Sequence, residues 1–467
     1  MIRSRLTIKT AWPFLLIIIV MVAGATLAAC GPAAPAATPT PTKTPRPAAA
    51  AVTQEPSRVP TAVAATPQPE PTAVPSAAPA ATASVSPAAT QAEPSPAASQ
   101  VTPTAVAKTD GSMTSPDFGV QTFLWWQSEV ADRDLQLSKD AGFKWVKQLV
   151  SWQDVEGAGK GQYDWTNLDR IVGQAEQHDL KLIVRVSQDP DRPFWAGNAP
   201  QNAGHFADFL AAMASRYKGR IQAYQVWNEP NLAREWGGRR PDPAGYTGLL
   251  KKAYAAIKGA DPKATVITAG MAPTGTDTEI AVPDVKFYDQ MYQAMKGKSD
   301  GYFDMLGVHA AGFAAPPEVS PDQTAADKPN YGGERFFAFR HVEDVRKIME
   351  KYGDKDKRVA VLEFGWTTDN RPDSPYYWHG AGAGIDELKQ GCYLLGALKW
   401  AKENWQPWIG LMNMIYMPDV KWTKNDEQYY WSIIGPGYPD LYLRAPYVIV
   451  QNYLTKGIVD DNCPQYR

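Results

Sequence analysis

From residue 113 to the C-terminus, short apolar runs alternate with amphipathic helical patterns eight times, and this limits the fold more than any other feature of the chain. The runs are Phe118–Leu124, Trp145–Val150, Leu180–Val186, Ile221–Val226, Thr265–Ala269, Met305–His309, Val359–Leu362 and Trp408–Ile415. Between and after them lie helical patterns at Ala131–Ala141, Trp165–His178, His205–Tyr217, Ala244–Ala260, Asp284–Met295, Arg340–Tyr352, Ile385–Asn404 and Ala445–Leu454. In Trp165–His178, for example, Leu168, Ile171, Val172 and Ala175 fall on one face. A helix after each strand carries the chain back to begin the next strand in the same direction. Eight such units predict an α/β fold closed as a (β/α)8 TIM barrel over 113–467. The alternative is an open doubly wound sheet, which the absence of a Gly-rich phosphate loop after the first run disfavours.

The first 112 residues read differently. Arg3, Arg5 and Lys9 give a basic start, and Trp12–Ala29 follows without a charge. Leu27-Ala28-Ala29-Cys30, followed by Gly31, resembles a bacterial lipobox, which implies cleavage before Cys30 and its lipidation. The other reading of the same run is a plain N-terminal membrane helix, since it is just long enough to span. Either way the expectation is an exported chain tethered to the outer face of the cell membrane, with residues 1–29 as its signal peptide. Residues 30–112 are almost entirely Ala, Pro, Thr, Val, Ser and Gln. Such a composition buries too little apolar surface to offset ordering entropy, so a disordered, partly polyproline-II tether is expected. Of the three cysteines, Cys30 is assigned to the lipobox, and an oxidising location would allow Cys392 and Cys463 to pair. A formal net charge of −2 gives no support for nucleic-acid binding.

Two carboxylates stand at predicted strand ends. Trp227-Asn228-Glu229-Pro230-Asn231 follows the fourth run, and Glu363-Phe364-Gly365-Trp366 closes the seventh. A desolvated carboxylate is costly, so such placement asks for a reason. In a (β/α)8 barrel the C-terminal strand ends face one bowl, which brings the two glutamates together as a two-carboxylate glycosidase requires. His309 ends the sixth strand, as a structural hydrogen-bonding group or a substrate contact. Arg185, within the third, is expected to satisfy internal carboxylates rather than bind sugar. Trp125, Trp126, Trp195, Trp236, Trp366, Trp378 and Trp422 fall in or near strand-end loops, where aromatic faces suit pyranose rings but can equally pack over the barrel rim. Loops Ala311–Glu334, Thr367–Gly384 and Pro418–Leu443 are expected to wall the cleft.

With Asn228-Glu229-Pro230 on strand four and Glu363-Phe364-Gly365-Trp366 on strand seven, the folded part resembles the clan-A retaining glycoside hydrolases, with families 39 and 5 nearest in flavour. Trp152-Gln153-Asp154-Val155-Glu156 and Gly161-Gln162-Tyr163-Asp164-Trp165 add to the likeness. The resemblance implies that Glu229 is the general acid/base, protonated in the free enzyme, that Glu363 is the nucleophile, and that Asn228 binds the sugar 2-hydroxyl. It implies hydrolysis of β-glycosidic bonds in oligo- or polysaccharides, with carbohydrate as the partner and no cofactor. Further substrate contacts are expected at Lys147, His309, Trp366, Tyr416 and Trp125. Three positions depart from the clan pattern. Lys147 stands where strand two commonly has Arg, Ala311 where strand six commonly has Tyr, and Met412-Asn413-Met414-Ile415 lacks the usual strand-eight Trp, whose platform falls to Tyr416 or Trp422. These departures motivate a second reading, a non-hydrolytic carbohydrate-binding surface lipoprotein on a degenerate barrel. The five histidines show no metal-ligand spacing, and no metal site is expected.

Overall fold

The computed structural model describes residues 113–467; the expected signal peptide 1–29, Cys30 and the tether 30–112 lie outside the described residues. Eight strands form one closed barrel in sequence order. They are β1 (Asp117–Thr122), β2 (Trp145–Ser151), β3 (Lys181–Ser187), β4 (Ala223–Val226), β5 (Thr265–Thr268), β6 (Met305–Ala311), β7 (Arg358–Gly365) and β8 (Ile409–Met414). All neighbours pair in parallel, and β1 closes on β8 through Asp117 opposite Leu411. Every apolar run of the sequence is a strand, and the long helices follow the predicted ones to within a few residues. In helix Thr166–Gln177 the buried set is Leu168, Ile171, Val172 and Ala175, the face that spacing picks out. Burying each large apolar side chain of such a face contributes roughly 1.5–3 kcal/mol.

The barrel interior is layered. Trp145, Ile183, Ala223, Ile267, Met305, Ala360, Leu362 and Leu411 form an apolar floor. Side chains two residues apart on a strand share a face. One step toward the C-terminal ends, therefore, Trp145 is followed inward by Lys147, Ile183 by Arg185, Ala223 by Gln225 and Leu411 by Asn413. The apolar layer thus supports a polar one, on which the bowl rests.

Both glutamates reach that bowl by breaking strand geometry. Ala360 and Leu362 already point inward, so a regular β7 would turn Glu363 out toward the helices. The register slips at this point, with Val308 opposite Val361 but His309 opposite Glu363. The extra residue, Leu362, makes a bulge that re-aims Glu363 into the barrel. On β4 the chain leaves the strand with Trp227 at φ 72° and Glu229 at φ 42°, both in the left-handed region that non-glycine residues seldom occupy. That turn lets Asn228 and Glu229, neighbours in sequence, approach the same cavity.

Cys392, on helix Glu387–Asn404, and Cys463 are joined by a disulfide with Cα atoms 5.3 Å apart. The β7 and β8 loops are tied to each other: Arg371 pairs with Asp369 at 2.6 Å and donates to the Asn425 carbonyl at 2.5 Å, and the Thr368 amide donates to the Tyr430 carbonyl at 3.0 Å. Among the described residues no helix is long and apolar enough to cross a membrane.

Candidate active site

Glu363 is 16% exposed, and its two oxygens have separate surroundings. Oε1 accepts a hydrogen bond from the fully buried Lys147 ammonium at 2.9 Å and lies 3.8 Å from Arg185 Nη1. Oε2 faces His309, whose Nδ1 is 3.8 Å away. Burial would push the Glu363 carboxyl up. The charges of His309, Lys147 and Arg185, with the Lys147 hydrogen bond, overcome it and hold the group well below the usual carboxylate range. Glu363 is therefore an anion at neutral pH.

Across the bowl, Glu229 Oε1 lies 3.0 Å from His309 Nδ1. Its backbone amide donates to the Gly270 carbonyl at 3.1 Å. Oxygens of Glu229 and Glu363 and a ring nitrogen of His309 all lie within 4.8 Å of one another, so these three side chains also form the donor set that a cation in the bowl would meet. Gly270 makes room for the His309 ring: a Cβ there would stand 2.1 Å from the imidazole Cδ2.

The remaining expected residues divide into two groups. Asn228 is buried beside the site, its Oδ1 accepting from Gln225 Nε2 at 3.4 Å. Tyr416 is half-buried at the end of β8, edge-on to Phe123 and Trp422 with centroids 5.7 and 5.3 Å away. Burial and the charges of Glu363, Glu427 and Glu229 push its phenol well above the usual value. Three expectations need correction. Lys147 is sealed beneath Glu363, bonded to it and to the Leu362 carbonyl at 2.9 Å, so it holds the carboxylate and does not touch sugar. Trp366 is 0% exposed; its indole N–H donates to the Ala315 carbonyl and its ring packs on Phe339 and Tyr393, outside the bowl. Trp125 is 7% exposed and belongs to the helix-side core. Of the other loop tryptophans, Trp236 is also buried, while Trp126, Trp195 and Trp378 are exposed.

Sequence reasoning missed the carboxylates around the pair. Glu235 lies in the 3-10 turn Arg234–Trp236, just after the Glu229 turn, and is bonded by Arg234 at 3.0 Å. Burial and the Glu229 charge push it up, against Arg185 and Arg234. Glu427, in the β8 loop, accepts from the Trp431 indole at 2.8 Å; burial pushes it up, against hydrogen bonds from Trp431 and Tyr376. No local motif marks either residue. The only signal is their position in loops that follow β4 and β8.

A family model described as cellulase (glycosyl hydrolase family 5) matches residues 107–403. Among curated proteins, a β-xylosidase of Geobacillus stearothermophilus is 23% identical over 162 residues, which covers 29% of this chain and 32% of the relative. The match thus spans about a third of that relative's length. Among solved structures, a family 39 glycoside hydrolase from the gut symbiont Bacteroides cellulosilyticus WH2 is similar with a TM-score of 0.52 and 18% identity, covering 73% of this chain and 64% of the other. GH5_18 from Streptomyces cattleya, solved in complex with GlcNAc, gives a TM-score of 0.53 and 13% identity over 74% and 82% of the two chains. At these identities the solved structures speak for the fold.

Proposed function

The chain belongs to the cellulase family, glycosyl hydrolase family 5, and from that premise we propose that it hydrolyses β-glycosidic bonds of an oligo- or polysaccharide by a retaining double displacement. The observation that carries this reading is the close approach of Glu229 and Glu363, with Glu363 held ionised. Retaining enzymes keep their two carboxyl groups about 5–5.5 Å apart, too close for a water between them and the sugar. Lys147 occupies Oε1 of Glu363, which leaves Oε2 to attack the anomeric carbon. Glu229 gives its proton to the departing glycosidic oxygen as the C–O bond breaks and a glycosyl–Glu363 ester forms. Water then attacks the anomeric carbon, Glu229 takes the water's proton, and Glu363 leaves as the carboxylate. His309, 3.0 Å from Glu229, orients the acid/base between the two steps. Asn228 binds the 2-hydroxyl, and Tyr416 with Trp422 forms the aromatic platform. The β-xylosidase relative and the family's own description both favour β-linked sugars.

Around this catalytic domain of residues 113–467, residues 1–29 direct export, Cys30 carries the lipid and residues 30–112 form the tether, so the domain works outside the cell. The Cys392–Cys463 bridge supports an oxidising location. The test uses aryl β-glycosides and a polysaccharide panel. Glu363→Ala should lose measurable turnover, and Glu229→Ala should fall about 10²–10⁴-fold on substrates with poor leaving groups and regain rate with azide. A Glu363→Ala enzyme as fast as the parent sinks the assignment. Calorimetric sugar binding without turnover on any linkage would favour the non-hydrolytic alternative instead.

A further inference from the structure

Arg185 has unspent hydrogen-bonding capacity at the floor of the bowl. It points inward one layer above Ile183, and its side chain is 18% exposed. No described residue accepts a hydrogen bond from its guanidinium, and its Nε is shut off from solvent without a partner. A guanidinium carries five donors in a fixed fork, and leaving them unpaired in a water-poor site is costly. Its nearest carboxylate oxygen is Glu363 Oε1 at 3.8 Å, and that oxygen already accepts the Lys147 ammonium at 2.9 Å. Glu235 is the next acid within electrostatic reach, but Arg234 holds it. Arg185 thus serves the internal carboxylates by charge, as expected, while its hydrogen-bond donors stay unused.

The position of this spare fork decides what it meets. An anomeric carbon at Glu363 Oε2 lies on the Glu229 side of the nucleophile. With Asn228, at the end of β4, on the C2 hydroxyl as proposed above, the next hydroxyl around the ring is that of C3. Arg185 lies on β3, next to β4 and opposite Gln225 in register. It therefore stands on the strand next to the one that delivers Asn228. We propose that Arg185 donates to the 3-hydroxyl of the sugar in the reacting subsite and makes the enzyme select for glycosides that carry it. The inference rests on the retaining reading of Glu229 and Glu363.

The test couples a residue change to a substrate change. The parent enzyme and Arg185→Met are assayed for kcat/KM on the 2,4-dinitrophenyl β-glycoside of the parent's best sugar and on its 3-deoxy and 2-deoxy analogues. Removing the 3-hydroxyl should cost the parent roughly 10- to 100-fold, the range for a hydrogen bond to a charged donor. In Arg185→Met that penalty should vanish, while the 2-deoxy penalty persists. A merely structural role would slow all three substrates alike. Equal 3-deoxy penalties in parent and variant overturn the proposal. A lost penalty on the 2-deoxy analogue overturns the C3 assignment. If Arg185→Met fails to fold by circular dichroism, Arg185→Lys carries the same comparison, since its single-point donor cannot reproduce the fork. Loss of parent-level turnover in Glu363→Ala checks the retaining reading separately.

Discussion

Lys147 is a fully buried ammonium bonded to the carboxylate proposed as nucleophile. Burial pulls its pKa down; the Glu363 charge and hydrogen bond pull it back, and the balance leaves it at about 8, against an ordinary 10.5. One pH unit above that value only about one lysine in ten keeps its proton. With the proton goes the cation that pins Glu363 Oε1. On a 2,4-dinitrophenyl glycoside, whose leaving group needs no protonation, kcat/KM should therefore fall about tenfold per pH unit above pH 8. Lys147→Met should lower the plateau roughly 10- to 100-fold, the loss of one charge-assisted hydrogen bond, and should flatten the alkaline limb. Lys147→Arg keeps the charge at all accessible pH and should also flatten the limb, with about 1–3 kcal/mol of overpacking strain. Stability gives a second readout. Between about pH 8 and 10.5 the unfolded chain holds a proton that the native state has released. Stability of the parent relative to Lys147→Met should rise by about 3 kcal/mol as pH climbs through that window. An alkaline limb that persists in Lys147→Met at the same pH would refute the reasoning, because another group would then be titrating.

Gly270→Ala would set a methyl 2.1 Å from the His309 ring. It should cost about 1–3 kcal/mol by thermal melt and lower kcat by moving His309 off Glu229; unchanged values in both would mean the ring swings aside freely. The Cys392–Cys463 bridge spans 71 residues, so Cys463→Ser should cost about 4 kcal/mol in urea unfolding followed by tryptophan fluorescence. A variant as stable as the oxidised parent would show that packing of the C-terminal segment already does the same job.

The barrel was legible because strand and helix periods differ and eight alternations leave few closures. Glu229 and Glu363 were legible because a carboxylate at the end of a buried apolar run is costly anywhere but a site. The sequence misled where burial depends on the third dimension. Trp366 follows Glu363 by three residues, yet it sits outside the barrel because the chain alternates, and Gly312 leaves its ring room: a Cβ there would lie 1.9 Å from it. Trp125, in the loop after β1, packs into the helix-side core. Glu427 and Glu235 carried no signal, since a loop acid becomes a site acid only through the fold of its loop. Arg185 was visible as a charge inside a strand, but its lack of hydrogen-bond acceptors is a fact of packing that spacing cannot supply.

The departures from the clan pattern converge on one point of the structure. Leu362 is the bulged residue of β7; it is skipped in the register with β6, where 361 is followed by 363, and again with β8, where 361 is followed by 364. A bulge leaves its residue outside the ladder. The Leu362 carbonyl instead accepts from Lys147, and the same ammonium holds Glu363 Oε1, both at 2.9 Å. A compact ammonium with freely rotating donors can serve a carbonyl and the adjacent carboxylate from one atom, whereas a planar guanidinium fork presents its donors in one fixed plane. Lys147 thus fixes the bulge that aims Glu363 and the carboxylate itself. What reads in the sequence as the loss of an arginine is a local fit, and the guanidinium that the bowl retains, Arg185, adds its charge to Glu363 while keeping its hydrogen-bond donors unused.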